Sequence, residues 1–248
     1  VDAQGNVFVT GETYQSPAWK PVTLKYDRYG VQQWAQVYGS GNGDVPTALA
    51  LDAAGNVIVT GKRYTGSYDY LTLKYNSAGS MIGSARIYNP SGSSGNDEAH
   101  MVIADGSNGF YVVGRCAPSN SLWDMNFGIV KYGGIAGTQQ WAFQYSGPGT
   151  WNDDAVGICR DSSGYLYVVG SSWQHSSYIP GLLMSNTDIV VLKMTSAGDT
   201  LWSRVYGGPS YREDYPMAIV YDGHGGLYIS GATYNLSPPN DMDMTIMK

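Results

Sequence analysis

Four aspartates, Asp44, Asp97, Asp153 and Asp214, stand eight residues ahead of four others, Asp52, Asp105, Asp161 and Asp222. An arc of carboxylates at matched positions has one chemical reading as a site for a hard cation such as Ca²⁺, which takes several oxygen ligands. The alternative is structural, each carboxylate capping backbone N–H groups where a strand begins. Asp153-Asp154 and Glu213-Asp214 add local negative charge, but no ordered calcium-loop motif is present. A second set is aromatic: Tyr14, Trp19, Tyr64, Tyr68, Trp123, Trp173, Tyr178 and Tyr234, with His175 among them. Rings beside Asp and Asn side chains suit stacking on sugars or a protein hot spot. The competing reading is that these rings cover seams between structural units.

Nucleophilic, metal-hydrolytic and phosphate-binding chemistry find no motif. There is no G-x-S-x-G elbow, no zinc-protease helix and no phosphate-binding glycine loop. The three histidines, His100, His175 and His224, fall in three different contexts. Two carboxylates of the arc could serve as an acid–base pair on a glycan, but spacing along the chain does not set their separation. Cys116 and Cys159 are too few for a disulfide framework or a cysteine-rich zinc site, and they read as small buried hydrophobes. Asn235-Leu236-Ser237 is a glycosylation sequon.

The elements that must position these residues come from a repeat. VDAQGNVFVTG returns as LDAAGNVIVTG, ADGSNGFYVVG, RDSSGYLYVVG and YDGHGGLYISG. Each copy is followed by a segment ending in a basic residue: Lys25, Lys74, Lys131, Lys193 and Lys248. A third segment, WAQVYG, recurs as SARIYN, WAFQYS and WSRVYG, and a fourth precedes each Asp after the first, as in DVPTALALD. Four short apolar segments per repeat of 50 residues or slightly more read as propeller blades rather than helical solenoids. The small, continuously apolar first segment suits an inner strand buried on both faces, and the Trp-bearing one an outer, half-exposed strand. The Asp-x-x-Gly-Asn turn has its own logic, since Asp accepts backbone N–H groups and Gly or Asn takes positive φ cheaply. The repeated Lys reads as laying its stem along the sheet and pairing with a carboxylate.

This pattern, AxAxD-x-x-GNxYVTG followed by TLKY and WxxxY, resembles the bacterial β-propeller repeat called the SBBP repeat, over essentially the whole chain. The resemblance implies a propeller in a secreted or cell-surface bacterial protein and implies no single activity. Ser84 departs from it where other units carry Trp, as do Gly164-Tyr165 and Gly225-Gly226 where Gly-Asn is usual.

The expected fold is all-β, a single domain over 1–248 in five units, 1–43, 44–96, 97–152, 153–212 and 213–248. Its blades have four strands, the first and last are incomplete, and 18 strands are expected. The ends are out of phase, which reads as a fragment of a larger ring, with adjoining copies supplying missing edges as the second reading. Val1 reads as a processed or truncated start.

Composition narrows the class. The chain of 248 residues has 14 Lys and Arg against 20 Asp and Glu, a net charge of −6, with 33 Gly, 21 Tyr and 7 Trp. No basic cluster offers a face to nucleic acid, and no apolar run is long enough for membrane insertion. These features together predict a non-enzymatic extracellular scaffold, adhesion or fibre-forming module. Its partners would be other copies or domains of the same surface protein, and it would need no cofactor unless the arc takes Ca²⁺. The alternative is a carbohydrate-binding propeller that holds polysaccharide on its aromatic loops, and a glycoside-acting enzyme is third.

Overall fold

The computed structural model describes residues 1–39, 43–90, 92, 95–118, 124–149, 151–179, 182–207, 213–234 and 242–248, without the side chains of 175–186. Among these residues the fold is all-β, with eighteen strands in five antiparallel sheets of three or four strands. The first sheet holds β1 (Val7–Gln15), β2 (Ala18–Tyr26) and β3 (Gln32–Val37). The second holds β4 (Val45–Leu51), β5 (Val57–Tyr64), β6 (Tyr68–Tyr75) and β7 (Arg86–Tyr88). The third holds β8 (Glu98–Ala104), β9 (Phe110–Cys116), β10 (Asn126–Gly133) and β11 (Thr138–Tyr145). The fourth holds β12 (Asp154–Arg160), β13 (Leu166–Ile179), β14 (Leu182–Met194) and β15 (Thr200–Tyr206), and the fifth β16 (Tyr215–Tyr221), β17 (Leu227–Tyr234) and β18 (Met242–Met247). Strands neighbour one another in chain order, so every connection within a sheet is a hairpin.

The chain divides into two compact units, Val1–Val112 with Val130–Gln140 and Val113–Ile129 with Trp141–Lys248. In the first unit, Phe8 and Trp34 of the first sheet pack on Val57, Val59, Leu71, Leu73 and Tyr75 of the second. In the second unit, Val169, Ile189 and Val191 of the fourth sheet pack on Ile219, Ile229 and Met247 of the fifth. The apolar first segments are less buried than expected: β4 is half-buried along most of its length, whereas β6 is buried at all but its first residue. The reason lies in the sheet order. β4 is an edge strand with a single neighbour, and the two middle strands carry the core.

Each Asp-x-x-Gly turn closes on its own carboxylate. Asp52 Oδ1 accepts from the N–H groups of Ala54 and Asn56 at 3.0 and 2.9 Å, while Oδ2 takes the Asn56 amide at 2.8 Å. The repeated Lys then reaches the same group. Lys74 Nζ lies 2.9 Å from Asp52 Oδ2 with both side chains fully buried, and it also donates to Asn108 O at 2.8 Å. Lys131 pairs with Asp105 in the same way. In the fourth sheet a phenol stands between: Tyr167 donates to Asp161 at 3.1 Å, and Lys193 lies 4.5 Å from the centroid of the Tyr165 ring.

Successive sheets are joined by a donor aimed at a turn. Trp34 Nε1 donates to Ser77 O at 3.1 Å, and its ring covers Gly79, whose φ of +86° and missing side chain leave the space. Trp141 makes the matching bond to Ser196 O at 3.2 Å, over Gly198 at φ +99°. The second sheet, with Ser84 at the Trp position, uses a different residue. Buried Arg86 donates from Nε to Gly137 O at 2.9 Å and from Nη2 to Ala136 O, in the turn of the third sheet.

Two measurements check this account. A bulge between Pro46 and Ala48 brings the Val45 carbonyl within 2.0 Å of where a Gly61 Cβ would lie, whereas nothing stands within 4 Å at Gly11. Gly61→Ala should therefore cost roughly 1–3 kcal/mol in urea unfolding, with Gly11→Ala close to neutral. Burial lifts the Asp105 carboxyl, but its bonds from Lys131 and Ser107 more than offset this, leaving it at about 2 against an ordinary 3.8. A depressed folded value means stability present above about pH 4 and lost as pH falls toward 2. Asp105→Asn should remove about 2 kcal/mol at neutral pH and flatten that acid limb.

Candidate functional site

The aspartates and the aromatic residues, two separate sets in sequence, meet in the second, fourth and fifth sheets. Asp44, Asp97, Asp153 and Asp214 are all buried just before the first strand of their sheets. Asp44 accepts from the backbone N–H of Tyr64 at 3.3 Å, Asp153 from that of Trp173 at 3.1 Å, and Asp214 from that of Tyr234 at 3.2 Å. In each pair the donor is twenty residues on; Tyr64 and Tyr234 end their second strands, and Trp173 lies within β13. Asp153 Oδ2 also takes Gly147 N–H at 2.6 Å, which ties in the incoming loop. The main chain of the same residues reaches back to the previous sheet. Asp97 N donates to Tyr68 O at 2.6 Å, Asp153 N to Met125 O at 2.7 Å and Asp214 N to Thr187 O at 2.6 Å.

Desolvation lifts the Asp153 carboxyl above its ordinary value, and the Gly147 and Trp173 N–H groups pull it back only in part. Asp44 is raised by burial too, against the Tyr64 N–H and Arg63. A shift shared by two copies of one repeat position describes the strand entry rather than a catalytic acid. Among the described residues no three His, Cys, Asp or Glu side chains gather to hold a metal ion. The oxygens proposed for Ca²⁺ that can be followed in detail point at backbone N–H groups.

The aromatic candidates form pairs. Tyr14 and Trp19 are cross-strand partners, with centroids 5.6 Å apart in an edge-on arrangement, and each is more than half exposed. Tyr64 and Tyr68 repeat this at 5.2 Å, with Lys62 Nζ 4.3 Å from the Tyr68 centroid and paired with Glu98 at 3.2 Å. In the fourth sheet Trp173 meets a residue that the sequence reading passed over. Trp151, half exposed, lies 5.8 Å from it with the rings inclined at 36°. Gly149 N–H donates to Trp173 O at 3.2 Å, so the loop that carries Trp151 is fastened to the strand that carries Trp173. Trp151 precedes Asp153 by two residues. Its place in the strand-entry loop, rather than in the loop between second and third strands, kept it out of the aromatic set.

Tyr234 ends β17 with its backbone on Asp214. Trp123 falls outside the described residues, as do the side chains of His175 and Tyr178. The backbone there departs from the expected loop, because β13 and β14 run on as a paired hairpin to Ile179 and Leu182. Main-chain bonds sustain that ladder through Ser176 and Ser177, where apolar alternation has stopped. Cys116 and Cys159 are both free, and burial pushes the Cys159 thiol up to about 11.

No family model and no curated protein matches the chain. Solved structures do. A native arabinanase of Bacillus subtilis aligns over 100% of this chain and 91% of its own, at 9% identity and a TM-score of 0.41. The periplasmic gluconolactonase of Pseudomonas aeruginosa covers 100% and 86% at 10% identity and 0.39. An exo-1,5-alpha-L-arabinanase from a bovine ruminal metagenomic library covers 99% and 90% at 10% and 0.37. All three carry the names of enzymes, two of them arabinanases. The expectation of a non-enzymatic scaffold, adhesion or fibre-forming module is corrected on this finding, which points to enzymatic or sugar-related proteins. At these identities and TM-scores the likeness assigns no activity or substrate to this chain.

The clamp gives a direct prediction. Asp153→Ala leaves the Gly147 and Trp173 N–H groups without an acceptor and should destabilise the fold by roughly 2–4 kcal/mol in denaturant unfolding. Asp153→Asn keeps one carbonyl oxygen for them and should cost less. A raised carboxyl contributes most below its unfolded value and loses that contribution as pH climbs through its folded one. The Asn variant should therefore unfold with a smaller loss of stability between acid and neutral pH than the parent.

Proposed function

We propose that the chain binds carbohydrate through the paired rings at the hairpin ends of its sheets, with the five sheets as blades of a β-propeller of the SBBP-like kind, exported from the cell. The observation that carries the reading is the Trp151–Trp173 pair. Two indoles inclined at 36° and fixed by the Gly149–Trp173 bond make a platform held in place before any ligand arrives. Sugar rings present C–H faces that stack on aromatic rings, and they present hydroxyls that need polar partners nearby. Two buried polar atoms in neighbouring residues have no protein partner among the described residues. Asn126 Oδ1 is buried next to Met125, whose carbonyl takes the Asp153 N–H, and Gln174 Nε2 follows Trp173 directly. Tyr14–Trp19 and Tyr64–Tyr68 repeat the ring pairing on two other sheets.

Titration of the protein with a panel of soluble neutral polysaccharides, read by calorimetry, tests this. Trp173→Ala and Trp151→Ala should each weaken binding about tenfold, equivalent to about 1.4 kcal/mol. Tyr29→Ala, an exposed ring in the turn after β2, should leave binding unchanged. Assay of released reducing ends in the same samples separates binding from turnover. Absence of binding across the panel, or Trp variants that bind as tightly as the parent, would overturn the reading.

A further inference from the structure

The joint between the fourth and fifth sheets defines which faces meet. The forward face of the fourth sheet presents Val156, Val169, Ile189 and Val191, and the rear face of the fifth receives them with Ile219, Ile229 and Met247. Counted from the repeated Asp and Lys, the forward positions of the fifth sheet are Met217, Ser230, Met244 and Ile246. The first two strand-three positions of that face are filled in the other sheets by Tyr70 and Thr72, by Phe127 and Ile129, and by Ile189 and Val191. All of these are buried except the half-buried Val191. Met244 and Ile246 are 84% and 69% exposed. Beside Ile246, Val220 and Tyr228 line an apolar hollow of about 310 Å³.

The rear face of the first sheet shows the reverse. Val9 holds the position of Val59, Val112, Val168 and Ile229, all four buried, yet it is 44% exposed, and Val7 beside it is also exposed. One chain thus carries both halves of a joint whose other copies are closed. An exposed apolar area of this kind marks an interaction surface, and the matching surface is present on the same molecule at the same repeat positions.

We infer that the forward face of the fifth sheet docks on the rear face of the first sheet of a second copy. The contact is head-to-tail, so it uses different patches on the two molecules and leaves one of each free for further copies. A partner of unrelated sequence would need to reproduce the repeat's own face, which this chain already carries. The inference concerns a surface separate from the ring pairs and stands without the carbohydrate reading.

Sedimentation velocity on the full chain over a wide concentration series should show the mass rising at least twofold above the monomer. Met244→Lys and Val9→Lys, both at exposed positions, should each hold the chain monomeric, and Ile246→Lys should repeat the first. Circular dichroism identical to the parent shows that the variants fold. An equimolar mixture of Met244→Lys and Val9→Lys retains one good pair of faces and should form a dimer and nothing larger. A monomer at every concentration would overturn the inference, as would assembly that survives both substitutions. A double variant, Val9→Cys with Met244→Cys, adds a separate arm. Oxidation should link chain to chain, and a link within one chain would show that its own first sheet covers the face.

Discussion

A buried carboxylate that accepts a backbone N–H at the strand entry is the constraint shared by the second, fourth and fifth sheets. Asp153 fastens the incoming loop through Gly147, β13 through Trp173 and, by its own N–H, the preceding sheet through Met125. Three chain segments are fixed by one residue. Desolvation opposes this ionised group, as the raised carboxyls of Asp44 and Asp153 show. The N–H groups would otherwise be buried without partners, and that larger penalty keeps the aspartate there.

The same constraint places the aromatic rings. A ring on a mobile hairpin loses conformational freedom whenever it meets a ligand. Here the backbone of Tyr64 and Trp173 is already fastened, and Trp151 is tied in through Gly149. The clamp and the platform are therefore one device, with the acid behind and the ring pair in front.

Much of the fold was legible because its signals are local. The Asp-x-x-Gly turns meet a local backbone need with one residue type, and with the period of the apolar segments they return eighteen strands in hairpin order. The site was less legible. Nothing in the spacing of Asp153 and Trp173 says that a carboxylate oxygen meets an N–H twenty residues away, because that contact depends on the register of β12 on β13. Trp151 was hidden for a similar reason, its partner being a residue of another loop. The extension of β13 past Trp173 was missed because main-chain bonds alone sustain it.

Arg86 shows what the repeat requires at its seams. Trp34 and Trp141 reach the following turn with an indole N–H, and Arg86 reaches the equivalent turn with a guanidinium. The fixed partner is the turn carbonyl; the donor side chain is interchangeable, even in its charge. Such a seam lets copies of a duplicated unit drift apart in residue type while keeping their spacing, since the main chain holds the template. Mutational tolerance should then be wide on the donor side and narrow in the glycine-bearing turns that receive it.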